Sequence, residues 1–197
     1  MTDNQSAESK LTLPNMLTGF RFIAAPVLLW LAWYGYAYAF MGLLAITFLS
    51  DLLDGMAARW TGQVSRFGAM LDSWADVITY VTVAICCWWL WPAIVQQELI
   101  YFSMIIASCL FPAMVGLEKF GSFTSYHTWS VKIAAAATGI SLYILFFNGP
   151  VWPFRIAAAL SIWAACEEIA ITLLLPQPEP DVRSIWKVIK VVKDKKS

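Results

Sequence analysis

The sequence predicts an all-α integral membrane protein, with six transmembrane helices and a C-terminal amphipathic helix lying on the membrane surface. Three observations predict it. Of 197 residues, 60% are hydrophobic and 13% charged, against about 25% charged in an ordinary soluble domain. The charges sit in short segments, so the apolar stretches between them reach the roughly 20 residues that a spanning helix needs. Nearly all the Lys and Arg residues then fall on one side of those helices. The net charge of zero, confined to such segments, gives no sign of a nucleic-acid partner, and none is expected.

The spans follow in order. Phe22 to Ser50 carries no charge and accommodates most of two spans, with Tyr34-Gly35-Tyr36 as the break and its aromatics suited to an interface. The second span runs from about Ala37 to Arg59, and the third from about Phe67 to Trp91, where Pro92 ends it. Leu99 to Leu117 makes the fourth and Val131 to Phe147 the fifth. Asn148-Gly149-Pro150 is a turn signal, and Val151 to Leu175 makes the sixth. Residues 1–176 are thus read as one six-span domain, and 177–197 as a proline-rich linker and a basic amphipathic tail. In the tail, Arg183 to Lys193 alternates apolar and basic residues, as a helix on an anionic surface would. The polar, mixed-sign first ten residues are not expected to form a cleavable signal. All four cysteines lie in apolar stretches and are expected to pack rather than bind zinc.

Loop charge orients the bundle. One side receives Lys10, Arg21, Arg59, Arg66, Lys119, Lys132 and the six basic residues from Arg183 to Lys196; only Arg155 lies opposite. Both termini and the segments around residues 51–76 and 118–132 are therefore expected on the cytoplasmic side of the inner membrane.

Four carboxylates occur between residues 51 and 76, each at or within a span. Asp51 and Asp54 are i,i+3 on the second helix, and Asp72 and Asp76 are i,i+4 on the third, so each pair shares a face. A helical hairpin would bring the pairs together near the cytoplasmic boundary, where four anions in a low dielectric need cations. Carboxylate oxygens suit Mg²⁺, Mn²⁺ or Ca²⁺ rather than zinc. Two such ions can clamp a diphosphate and stabilise its leaving group. Gly55 and Gly68 would let a nucleotide approach the backbone, Ala58 keeps the helix surface flat, and Arg59 supplies a planar fork for phosphate. The simpler alternative, intramembrane salt bridges, has only Arg59 and Arg66 close in sequence to balance four anions.

The run Asp51-x2-Asp54-Gly55-x2-Ala58-Arg59-x8-Gly68-x3-Asp72-x3-Asp76 resembles the signature of the CDP-alcohol phosphatidyltransferase family at all eight specified positions. The resemblance implies a site for two Mg²⁺ or Mn²⁺ ions built by Asp51, Asp54, Asp72 and Asp76, with Asp76 also the general base on the acceptor hydroxyl. It implies that Gly55, Ala58, Arg59 and Gly68 hold the CDP part of a lipid donor, CDP-diacylglycerol, and that the protein is a homodimer. The implied reaction moves a phosphatidyl group to a small alcohol and releases CMP.

The acceptor rests on two further segments. Pro14-Asn15-x2-Thr18-x2-Arg21 resembles the opening of phosphatidylglycerophosphate and cardiolipin synthases of this family; its Asn15, Thr18 and Arg21 share one side of the first helix and would face the nucleotide. A helix start with a membrane-flanking Arg explains them as well. Lys119, His127 and Lys132 would bind an acceptor phosphate, which favours glycerol 3-phosphate, with inositol phosphate, phosphatidylglycerol, serine or choline as the alternative acceptors; ordinary flanking charge is the plainer reading. Glu167 and Glu168 lie within the sixth span, where ionisable groups are costly, and are expected to pair with Lys132 or Arg21 or to read a hydroxyl or cationic acceptor.

Two other membrane chemistries use such residues. An intramembrane prenyltransferase places its Asp-rich motifs on well-separated helices, whereas these four aspartates fall within 26 residues. A divalent-metal transporter would put its ligands near the midplane, not at a helix end beside Gly and Arg.

Overall fold

The computed structural model describes residues 13–61, 66–121, 126, 128–177, 182, 184–186 and 188, and every element among them is helical. In chain order these are α1 (Leu13–Trp33), α2 (Ala37–Thr61), α3 (Arg66–Leu90), the short α4 (Pro92–Gln97), α5 (Leu99–Phe120), α6 (Trp129–Phe146) and α7 (Trp152–Leu174).

Local chemistry sets the helix ends. At the end of α1, Gly35 takes a left-handed φ of 74°, so its N–H reaches the Ala32 carbonyl (3.1 Å) and that of Tyr36 the Leu31 carbonyl (2.9 Å). This pairing satisfies carbonyls that a helix end leaves open. The end of α6 repeats it with Asn148 at φ 59°, and a Cβ on Gly149 would lie 2.6 Å from the Ile144 carbonyl oxygen, so only glycine fits. One end differs from expectation. Pro92 does more than stop the third helix: it sits at the first position of α4, where its missing N–H costs nothing, and turns the chain into α5. As expected from the shared side of Asn15, Thr18 and Arg21, α1 begins ahead of the charge-free stretch, at Leu13, and includes Arg21.

The helices pack as two groups. α1 lies against both α2 and α3, and α7 against both α5 and α6. The inward side of α7 carries Ala157, Ala158, Ser161, Ala164 and Ala165, all buried, and small residues allow such close approach. A shared core including Leu28, Phe40, Leu44, Cys86, Leu142 and Phe154 joins the groups, and the Tyr143 hydroxyl donates to the Met41 carbonyl at 2.6 Å. Cys86 and Cys87 are buried there as free thiols, while Cys166 is exposed.

Among the described residues, α5, α6 and α7 are each long and apolar enough to cross a membrane, and α1, α2 and α3 contain the apolar runs Thr18–Trp33, Ala37–Ser50 and Trp74–Leu90. The outside of the bundle carries exposed Ile23, Ile140, Trp163 and Leu173, and helices apolar on their outward faces as well as their inward ones suit a lipid surrounding. At one end, aromatics from three chain reversals meet: Trp33 packs edge-on to Trp89 with centroids 5.2 Å apart, and Trp91 stacks on Phe146 at 4.0 Å. Glu98, between α4 and α5, is bound bidentately by Arg155 of α7 at 2.9 and 2.8 Å. That hydrogen bond, opposed by burial, holds the Glu98 carboxyl below its usual range.

Candidate active site

α1 forms the wall of the site because it packs on both helices that carry the aspartates. From its buried side, Arg21 reaches across to α3, with Nη1 2.5 Å from Oδ1 of Asp76. The Arg21 side chain is 2% exposed and the Asp76 side chain 29%. An arginine that merely flanked a membrane would hold its guanidinium in water; this one is inside the protein, facing a carboxylate. Thr18, one turn earlier, is buried on the same wall. The Asp76 carboxylate stays open enough to meet a ligand.

Around that pair the backbone meets the spacing argument. Residues 51–61 and 66–76 are helical, so Asp51 with Asp54 and Asp72 with Asp76 occupy common helix faces. The side chains of Asn15, Asp51, Asp54, Arg59 and Asp72, and the surroundings of Gly55, Ala58 and Gly68, lie outside what is described. The donor set suits a hard divalent cation. Its described member, Asp76, offers a carboxylate that is neither sealed from solvent nor fully exposed.

The residues expected at the acceptor end have distinct settings. The Lys119 ammonium donates to the Thr172 and Leu173 carbonyls at 3.0 and 2.8 Å, tying the end of α5 to the end of α7, a favourable place for a cation. Lys132, on the first turns of α6, lies with Nζ 5.4 Å from the centroid of Trp129. His127 falls outside the described residues.

Sequence reasoning missed the environment of the two glutamates. Pairing with Lys132 or Arg21 was the expectation, and Arg21 is engaged with Asp76. Glu168 accepts the Tyr126 N–H at 3.0 Å, and Glu167 accepts the Ile185 N–H at 3.0 Å and the Ser130 hydroxyl. Backbone N–H groups leave no mark in a sequence, so a search for cations could not find these partners. The tail differs too. Val182 and Val188 are buried and Ile185 is packed against a cluster with Tyr126, Ile171 and Leu175, so these three cover protein, while Trp186 stays exposed. The spacing of 182, 185 and 188 was the available signal, but it cannot say which surface it covers.

The sequence profile of the CDP-alcohol phosphatidyltransferase family matches residues 11–174. A protein of Salmonella choleraesuis (strain SC-B67) named CDP-diacylglycerol–glycerol-3-phosphate 3-phosphatidyltransferase is 28% identical over 177 residues, covering 82% of this chain and 94% of that protein. The protein of the same name from Escherichia coli (strain K12) is 27% identical over 179 residues, with the same coverage. A probable cardiolipin synthase (CMP-forming) of Drosophila melanogaster is 41% identical over 73 residues, which span 36% of this chain and 23% of the fly protein. No solved structure matches the chain. With the profile covering α1 to α7 and the signature aspartates on α2 and α3, the chain belongs to the CDP-alcohol phosphatidyltransferase family.

Proposed function

We propose that this protein transfers the phosphatidyl group of CDP-diacylglycerol to glycerol 3-phosphate, releasing CMP, at a site opening to the cytoplasmic face of the inner membrane. The observation that carries this reading is the Arg21–Asp76 pair, a buried cation facing a partly open carboxylate of the signature. The choice of acceptor is supported by near full-length similarity to proteins named for glycerol 3-phosphate.

Asp51, Asp54, Asp72 and Asp76 are assigned as ligands of two divalent cations, Mg²⁺ or Mn²⁺. Bound there, such ions supply charge neutralisation on the diphosphate and on the departing phosphate oxygen. The chain's own groups do the rest. Asn15, Thr18, Gly55, Ala58, Arg59 and Gly68 form the seat of the cytidine diphosphate, with Arg59 gripping a phosphate through its planar fork. Arg21 orients Asp76 through its ion pair. Asp76 takes the proton of the acceptor hydroxyl as its oxygen bonds to the β-phosphorus. The bond from that phosphorus to the oxygen bridging the two phosphates breaks, and CMP leaves with the electron pair. No covalent enzyme intermediate is needed.

The acceptor phosphate is assigned to Lys132 and His127. Lys119, whose ammonium holds the end of α7, borders that pocket. The reading includes six spans (α1, α2, α3, α5, α6 and α7), a domain over residues 1–176 with a basic tail at 177–197, both termini in the cytoplasm, and a homodimer. Lys119 and Lys132 lie at the end of the bundle opposite Arg155, which supports this orientation. Purified protein in lipid, given CDP-diacylglycerol, Mg²⁺ or Mn²⁺ and one alcohol at a time, tests it. CMP release dependent on glycerol 3-phosphate is expected; release only with an uncharged alcohol or another lipid would displace the acceptor assignment and keep the chemistry.

A further inference from the structure

The cytoplasmic end of α7 binds the segments around it through polar contacts that the transfer chemistry does not use. Glu168 accepts the N–H of Tyr126 at 3.0 Å. One carboxylate oxygen of Glu167 accepts the Ser130 hydroxyl, and the other accepts the Ile185 N–H of the tail at 3.0 Å. The Ser130 hydroxyl also lies 2.8 Å from that of Thr128, and the Thr128 oxygen caps α6 by accepting the Val131 N–H at 3.3 Å. The two acids thus fix residue 126 directly and residue 128 through Ser130, so the residues at the start of α6 are pinned to α7. The same cap sets the first turn of α6, and the next turn carries Lys132, whose N–H donates to the Thr128 carbonyl at 3.2 Å. Tyr126 is buried in the cluster formed with Ile171, Leu175, Val182 and Val188, so the tail closes over this joint.

Two carboxylic acids near the end of a membrane helix are costly, and a helix connection needs no such pair merely to turn. Both acids bind the stretch that leads into α6 and Lys132, and Glu167 binds the tail as well. We propose that Glu167 and Glu168 are positioning residues of the acceptor pocket: they hold the start of α6 so that Lys132 meets a phosphate-bearing alcohol in a fixed geometry, with the tail as a further point of attachment. This rests on the acceptor reading above. The residues assigned to the donor lie on α1, α2 and α3, whereas both glutamates lie on α7.

Steady-state kinetics separates this role from a merely structural one. With CDP-diacylglycerol saturating and glycerol 3-phosphate varied, Glu168→Ala raises the acceptor KM by about tenfold, the amount that weakening one hydrogen bond from a displaced Lys132 to the acceptor phosphate costs. The donor KM stays within about twofold, and Glu168→Gln, whose amide oxygen still accepts the Tyr126 N–H, restores most of the acceptor KM. Ser130→Ala removes a single hydroxyl and shifts the acceptor KM in the same direction, which keeps the test open if Glu168→Ala does not fold. Melting of each purified variant in detergent confirms that folded protein is compared. An unchanged acceptor KM in folded Glu168→Ala and Ser130→Ala, or donor and acceptor KM rising together, overturns the positioning role. If the wild type does not use glycerol 3-phosphate at all, the acceptor reading itself has failed; an active wild type without the split among its variants sinks only the positioning role.

Discussion

Two arginine–carboxylate pairs, one toward each end of the bundle, are built with opposite burial. In the Arg21–Asp76 pair the arginine is 2% exposed and the carboxylate 29%; in the Arg155–Glu98 pair the arginine is 47% exposed and the carboxylate 6%. The outer pair seals its acid beneath a bidentate guanidinium, which also lies over Tyr101 with its centre 5.2 Å from the ring. That joins the start of α5 to the start of α7 and leaves no acid to react. The inner pair hides its cation and leaves its acid partly open. An accessible carboxylate suits proton transfer or a cation, whereas a sealed one is a staple. The difference in burial is what supports proposing chemistry at one end and fastening at the other.

Asp76→Asn is the sharpest break of this contrast. It removes the base and one assigned cation ligand, so transfer should fall by about 10²–10⁴-fold while the protein still melts cooperatively; CMP release beside a thermal melt checks both. Arg21→Gln comes next, with a loss of about 10²-fold, and Arg21→Lys should fall between it and wild type because it keeps the charge without the fork. Equal activity in Arg21→Gln and wild type would mean that burial of this guanidinium serves packing alone. Lys132→Ala should raise the acceptor KM by about tenfold, and Arg59→Lys the donor KM by up to about tenfold; varying one substrate at a time distinguishes them.

The smallest effect belongs to the outer pair. Arg155→Met should lower the melting temperature by a few degrees and leave transfer unchanged, since this half-exposed guanidinium is well screened. Because the Glu98 pKa is depressed in the folded protein, the contribution of the pair is present above the unfolded carboxylate pKa and is lost as pH falls through the folded one. The melting difference between wild type and Arg155→Met should therefore be full at neutral pH and close in the acid range below ordinary carboxylate values. A difference that persisted there would assign the loss to packing on Tyr101 instead.

How much the sequence revealed follows from which signals have a period or a fixed residue type. Helix ends at Gly35 and at Asn148-Gly149 were legible because few residues adopt the backbone needed there. The paired aspartates were legible from helical spacing alone. α4 was not, since Pro92 reads equally as a stop and as a first helical residue. The burial of Arg21 was hidden because a flanking arginine and a buried one are spelled alike, and only the packing of α1 on α3 distinguishes them. Glu167 and Glu168 drew attention through their place in an apolar helix, but their N–H partners belong to backbone far along the chain.

The central claim is that the inner, open carboxylate works in transfer of a phosphatidyl group to an alcohol. CMP release from CDP-diacylglycerol, measured on addition of glycerol 3-phosphate to wild-type and Asp76→Asn protein purified side by side, tests it most directly. The account predicts acceptor-dependent release by the wild type and loss of about 10²-fold or more in the variant. Release by folded Asp76→Asn at the wild-type rate, or no release by the wild type with any alcohol, would contradict it.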